Sequence, residues 1–148
     1  MQRHTRYQGA IIVDHHILLI KHTEHATGRS YWLLPGGGSE ARETAERCVQ
    51  REVQEETGLD VHIQTLLVDE PAPEGDVYQR MQTYQCELLS GEARPGYEPE
   101  ADAAALYGIT DVGWFDLRTP ATWDELVQRD SITFPFLKRL RSKLGYTD

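Results

Sequence analysis

A mixed α/β domain is predicted by three observations. Apolar runs of strand length recur along the chain, a stretch of helical length free of Gly and Pro sits among them from Thr44 to Thr57, and short turn-forming segments separate the pieces. The 148 residues amount to a single domain over 1–148, long enough to bury a substantial core.

Taken in order, Tyr7 to His22 holds two aliphatic runs around Asp14-His15-His16, which predicts two strands joined by a tight turn with His15 and His16 as turn residues. The His22-x-x-His25 spacing would suit a metal on a helix, but nothing around it is helical, so no metal is expected there. Tyr31-Trp32-Leu33-Leu34 is a short strand stopped by Pro35-Gly36-Gly37-Gly38, read as a loop shaped by glycine backbone freedom. Thr44 as N-cap and Gly58 as stop bound the helix. Val61 to Val68 and Val77 to Leu89 are rich in β-branched and aromatic residues and predict strands, with 69–76 as the loop between them. Ser90 to Thr110, broken by Pro95-Gly96 and Pro99, is expected to be a long functional loop. Asp111 to Leu117 predicts a strand. Thr122 to Gln128 and Pro135 to Leu144 predict helices, the second with Phe136, Leu137, Leu140 and Leu144 on one face.

Fifteen Lys and Arg against 24 Asp and Glu give a net charge of −9, which excludes non-specific nucleic-acid binding as the expected role. No apolar run approaches the roughly 18 residues of a membrane span, and the amino-terminal apolar segment is too short for a signal peptide, so a cytoplasmic protein with no membrane association is expected. Cys48 and Cys86 lack C-x-x-C spacing and are expected to be reduced, buried thiols.

Glu52, Glu55 and Glu56 stand at i, i+3 and i+4 and share one side of the predicted helix. With Ala45 at zero and about 100° per residue, Cys48, Val49 and Val53 fall at about 300°, 40° and 80°. The three glutamates fall at about 340°, 280° and 20°, inside the apolar stripe, while Glu46, Arg47, Gln50, Arg51 and Gln54 supply a solvent face. Like charges crowded on a packed face repel one another and resist ionisation. A bound cation accounts for such an arrangement. Carboxylates without His or Cys neighbours select hard ions such as Mg²⁺, Mn²⁺ or Ca²⁺, and no EF-hand spacing is present. Mg²⁺ commonly bridges carboxylates to substrate phosphates, so the expected substrate is a phosphate or diphosphate.

These residues resemble the signature of the Nudix hydrolase superfamily, the MutT-like domains. Gly37, Glu43, Arg51, Glu52, Val53, Glu55, Glu56, Gly58 and Leu59 fill every fixed position of its motif over residues 37–59. The resemblance implies an α/β/α sandwich with a mixed sheet, in which the motif forms a loop, a helix and a loop. It implies a hydrolase that cleaves the diphosphate linkage of a nucleoside diphosphate joined to another moiety, using Mg²⁺ with Mn²⁺ as a substitute. Nucleotide sugars such as ADP-ribose, (d)NTPs and dinucleoside polyphosphates all stay open as substrates. Glu52, Glu55 and Glu56 would ligate the metal together with a carbonyl of Gly37 or Gly38. Arg51 and Glu43 would orient the carboxylates.

The general base is left among Glu56, Glu98, Glu100 and Asp111. Arg29, Lys21 and Arg80 are candidates to contact phosphate, and Trp32, Tyr78 and Tyr84 to stack on a base. The nucleotide is expected to cross the loops 70–76 and 90–110. In the family, ADP-ribose enzymes tend to carry a proline some fifteen residues after the motif; Pro71 and Pro73 lie close to that place but out of register. The alternative to an enzyme is a catalytically silent Nudix-like module that senses a nucleotide. A homodimer is left open.

Overall fold

The computed structural model describes residues 3–98 and 100–147; Pro99, expected to break the long loop, and the terminal residues 1, 2 and 148 lie outside them. Strand β1 (Arg3–Val13) turns at Asp14-His15 into β2 (His16–Glu24). Both turn residues have positive φ, 48° and 66°, the pairing a two-residue hairpin needs to match the right-handed twist of its strands. The structure continues through β3 (Ser30–Leu33), β4 (Gly36–Gly37), α1 (Ala45–Thr57), β5 (Asp60–Pro71), β6 (Tyr78–Ser90), α2 (Ala101–Ala104), β7 (Tyr107–Asp116), α3 (Glu125–Arg129) and α4 (Thr133–Lys143).

The strand order is β3-β2-β1-β6-β5, with β4 added to β1 and β7 to β2. β1 runs parallel to β6 from Arg3–Tyr78 to Ile11–Cys86, then pairs antiparallel with β2 through Ile12–Ile17. One strand is therefore shared between two sheet segments, β6 and β4 flanking its first half and β2 its end.

Two apolar clusters sit on opposite faces. Val49 and Val53 of α1 pack with Ile11, Leu18, Leu59, Val61, Ile63 and Cys86. Phe136, Leu137 and Leu140 of α4 and Val127 of α3 pack with Ala10, Ile17, Leu19, Trp32 and Phe115. Successive side chains of β2 thus serve opposite layers, Ile17 and Leu19 toward α4 and Leu18 toward α1, as a strand covered on both sides requires. The α/β/α sandwich follows. Among the described residues no helix is long and apolar enough to cross a membrane.

Several boundaries differ from the sequence reading. The segment 90–110 is not one loop: β7 begins at Tyr107 because Tyr107, Gly108 and Ile109 pair with Glu24, Thr23 and His22, a contact between distant parts of the chain. The helix expected at 122–128 starts later, at Glu125, because Asp124 accepts the Leu126 N–H and caps it there. Pro35-Gly36-Gly37-Gly38 is more than a loop. Gly36 and Gly37 pair with Gln8 and Tyr7, and none of the three glycines has positive φ. Gly36 and Gly37 are needed for space: a Cβ on Gly36 would lie 2.3 Å from the Tyr7 carbonyl oxygen, and one on Gly37 2.6 Å from Glu52 Oε1.

Candidate active site

Helix α1 is fixed at both ends by its own sequence. Thr44 accepts the Arg47 N–H, and Gly58, at φ 78°, adopts the left-handed conformation that ends a helix at low cost. The wheel reading of its faces holds except at Arg51, expected on the solvent side but turned in toward the acids with its side chain 21% exposed. Cys48, Val49 and Val53 are buried, Glu46, Arg47 and Gln54 are exposed, and Glu52 and Glu56 are buried among apolar neighbours at 1% and 0% exposure. Glu55 lies at the edge, its side chain 14% exposed.

Arg51 organises the acids. Its Nε and Nη2 donate to the two oxygens of Glu43 at 2.7 and 2.8 Å, a bidentate pair. Nη1 donates to Glu52 Oε1 at 3.0 Å and Glu55 Oε2 at 3.2 Å, and Nη2 also donates to the Gly38 carbonyl at 3.1 Å. Glu56 Oε1 accepts the Gly36 N–H at 2.7 Å. Two carboxylate oxygens, Glu52 Oε2 and Glu56 Oε2, are buried without a hydrogen-bond partner. An orphaned carboxylate oxygen is costly in a protein interior. The Gly37 carbonyl, on the strand residue paired with Tyr7, takes a weak 3.7 Å contact from the Cys48 thiol.

The electrostatics agree with this crowding. Burial pushes the Glu52 carboxyl up to about 7 despite the opposing pull of Arg51 and Arg6. It raises Glu56 well above the ordinary value, with Glu52 and Glu98 adding to the effect. Glu43 moves the other way because Arg51 bonds it. Burial holds the Cys48 and Cys86 thiols up at about 12, so both are protonated packing residues with no nucleophilic character at neutral pH.

The donor set of carboxylate oxygens and a backbone carbonyl suits a hard divalent cation. Glu52, Glu55 and Glu56 do not, however, converge on one point. Among the described residues no three His, Cys, Asp or Glu side chains form a group able to hold an ion as they stand. Arg51 Nη1 engages one oxygen each of Glu52 and Glu55, whereas Glu56 is held apart from them by the Gly36 N–H.

Of the acids considered as general base, Glu98 is the one brought to the glutamates. Its charge raises the pKa values of Glu52, Glu55 and Glu56, and it is held by the Tyr107 hydroxyl at 3.1 Å and the Glu100 N–H at 3.2 Å. Asp111 is exposed and caps the Val112 N–H, and Glu100 bonds back to Glu98 through its backbone. The segment carrying Glu98 is moored to the end of α1: Arg94, Gly96 and Tyr97 donate to the carbonyls of Thr57, Glu56 and Glu55. A Cβ on Gly96 would lie 1.9 Å from the Glu55 carbonyl oxygen, so only glycine allows this approach. These bonds tie the segment to the end of the helix.

The substrate-contact expectations divide. Trp32 and Tyr78, at 5% and 8% exposure, are buried, and Trp32 packs edge-on against Phe115 in the core. Neither offers a ring face to a base, because strand aromatics were recruited to packing. Arg80 is turned to Asp69, at 2.9 and 3.1 Å. Tyr84 bonds Gln82 and packs on the α1 cluster, and Lys21 lies over the Trp32 ring. Arg29 lines an open cleft with Tyr31, its guanidinium 5.4 Å from the ring.

Three residues lie near the glutamates that the sequence did not place there, His22 having been weighed only as half of a metal pair. Arg6 reaches in from β1, Tyr107 from β7, and His22 stacks on Tyr107 with ring centroids 4.1 Å apart. His22 is 2% exposed with Nε2 unpartnered, and burial, reinforced by Arg6, holds its pKa down to about 3. The folded chain therefore binds fewer protons than the unfolded one between pH 3 and 6.5, and stability is lost as pH falls through that window. The loss reaches about 2 kcal/mol by pH 5. His22→Phe keeps the stacked ring and removes the titration. Its melting temperature relative to wild type is expected to be higher at pH 5 than at pH 7; an advantage independent of pH would contradict the assignment.

A sequence profile described as the NUDIX domain matches residues 3–131. The chain belongs to the Nudix family. It is 36% identical over 94 residues to "NAD-capped RNA hydrolase NudC" of Photobacterium profundum, covering 64% of this chain and 34% of that protein. It is 34% identical over 106 residues to "ADP-ribose pyrophosphatase" of Methanocaldococcus jannaschii, covering 70% and 61%. A crystal structure of an ADP-ribose pyrophosphatase from Streptococcus suis superposes with a TM-score of 0.68 at 22% identity, covering 97% of this chain and 93% of that one. A MutT NUDIX hydrolase from Burkholderia pseudomallei superposes at 0.65 with 25% identity, covering 98% and 100%. The Nudix chain thus spans about a third of the length of the NudC relative, 34%.

Proposed function

We propose that this chain hydrolyses the diphosphate linkage of a nucleoside diphosphate joined to a second moiety, in a reaction dependent on Mg²⁺ or Mn²⁺. The observation that carries the reading is the pair of buried, unpartnered oxygens, Glu52 Oε2 and Glu56 Oε2, beside a carboxylate that Arg51 already orients. Glu52, Glu55, Glu56 and the Gly37 carbonyl are the residues that would hold the ion. The bound cation supplies charge neutralisation on the diphosphate oxygens and activates water.

The rest of the work belongs to the chain. Arg51, fixed by Glu43, sets the direction of Glu52 and Glu55. The N–H of Gly36 fixes Glu56. Glu98, kept in place by Tyr107, is available to take a proton from the attacking water, with Glu56 the other candidate. Arg29, which lines a cleft with Tyr31, remains a candidate to contact phosphate. The dissimilar named activities of the relatives leave the second moiety open.

The test is a panel of ADP-ribose, NADH, dinucleoside polyphosphates, nucleotide sugars and nucleoside triphosphates with Mg²⁺, scored for nucleoside monophosphate or phosphate release. Turnover that disappears with chelator supports the reading. Binding without turnover across the panel would instead favour a nucleotide-sensing module.

A further inference from the structure

A cavity of about 300 Å³ opens between the first half of β1, the β5–β6 connection and α4. Its walls are largely apolar, with Leu33, Met81, Pro135 and Phe136 among them, and its size suits a single heterocyclic ring and part of a sugar. Four charged residues line it. Glu70 and Arg139 pair with each other at 2.9 Å, leaving Arg6 and Asp76. With two positive and two negative side chains the cavity has no net attraction for phosphate, so a neutral flat group fits it better than an anion.

Arg6 is the polar group best placed to orient such a ring. Its Nη2 donates to the Leu34 carbonyl at 2.8 Å and its Nε to Gln8 Oε1 at 3.2 Å, which fixes the guanidinium plane. Among the described residues none accepts from Nη1. Asp76 uses Oδ1 to accept the Tyr78 N–H at 3.0 Å, which leaves Oδ2 as an acceptor at the rim. Arg6 lines the cavity and also feels the charges of Glu56 and Glu52.

A guanidinium offers donors only, and a carboxylate acceptors only. We propose that this cavity seats a flat ring bearing a carbonyl oxygen, which accepts from Arg6 Nη1, and that it disfavours a ring presenting an amino group there. The inference rests on the diphosphate-hydrolase reading for what is attached to the ring. A 6-oxopurine, a uracil and the amide of a nicotinamide all supply the chemistry; adenine carries an amino donor where the oxopurine carries that oxygen, and can meet the guanidinium only through a ring nitrogen.

Calorimetric titration of the metal-free chain with inosine and adenosine 5′-monophosphates isolates the effect, because these ligands share sugar, phosphate and ring size and differ at the edge in question. Uridine 5′-monophosphate and nicotinamide mononucleotide complete the set, and the tightest of the three carbonyl-bearing ligands names the source. At least one of them is expected to bind tenfold or more tightly than adenosine 5′-monophosphate, and Arg6→Met to remove that preference. Arg6 also supports Leu34, so Ile132→Trp is the second variant: Ile132 lines the cavity, is 54% exposed, and its enlargement obstructs the space without touching Arg6. It should weaken the preferred ligand tenfold or more. Equal or tighter binding of the adenine ligand, no binding of any of the four, a preference that survives Arg6→Met, or full binding to Ile132→Trp would each overturn the proposal. Metal-dependent hydrolysis without the preference overturns the ring seat alone, whereas the preference without hydrolysis overturns the reaction and leaves the seat.

Discussion

Glu56→Gln is expected to lower turnover by about 10³-fold, the scale of several kcal/mol of metal-derived charge stabilisation in the transition state, without lowering the stability of the metal-free chain. The amide oxygen can still accept the Gly36 N–H that Glu56 Oε1 accepts, while the charge that burial opposes is gone. The sign follows from the raised pKa. Above the ordinary carboxylate range the unfolded chain is ionised while the folded one resists ionisation, so the wild-type, metal-free fold loses stability as pH rises and the variant does not. The variant's advantage should therefore widen from pH 5 to pH 8 in paired melting curves. A variant that melts several degrees lower at both would mean that Glu56 is a structural acid.

Arg51→Met carries the largest expected loss of stability. It strands Glu43, Glu52 and Glu55 together, with Glu52 1% exposed, and removes a bond to the Gly38 carbonyl. Removing one partner of a buried charge network costs about 3 kcal/mol, allowing for the partial exposure of Arg51. That corresponds to a fall of roughly 6–12 °C in melting temperature. Arg51→Lys should recover part of it, since an ammonium keeps the charge and loses the fork that engages both Glu43 oxygens. An unchanged melting temperature for Arg51→Met would contradict the role given to this residue.

What the chain discloses without coordinates depends on how local the cause is. The burial of Glu52 and Glu56 follows from spacing along one helix, and so does the solvent face of Glu46, Arg47 and Gln54; Thr44 and Gly58 mark the ends through backbone chemistry confined to a few residues. The glycines at 36 and 37 were visible as unusual, but not their reason. They make room for Tyr7 and for the Glu52 carboxylate, which are distant in sequence. Likewise nothing near Tyr107 announces that 107–109 will pair with β2, or that Gly96 will lie against the Glu55 carbonyl.

Aromatic and basic residues were the hardest to place. Trp32 and Tyr78 look alike as strand aromatics whether they pack or bind, and here they pack. Arg6 had one available signal. With Gln8 and Ala10 it falls on the face of β1 that turns toward α4, and a cation on a face that ends in the buried Gln8 and Ala10 needs a partner.

The central claim, that the carboxylates of α1 hold a catalytic divalent cation, is tested most directly by melting wild type and Glu56→Gln with and without Mg²⁺. At ten times its dissociation constant the ion should stabilise wild type by about 1.4 kcal/mol, a rise of roughly 3–5 °C. Glu56→Gln should lose most of that rise while its metal-free curve stays at or above that of wild type. A full Mg²⁺ shift in Glu56→Gln, or none in wild type, would place the cation elsewhere.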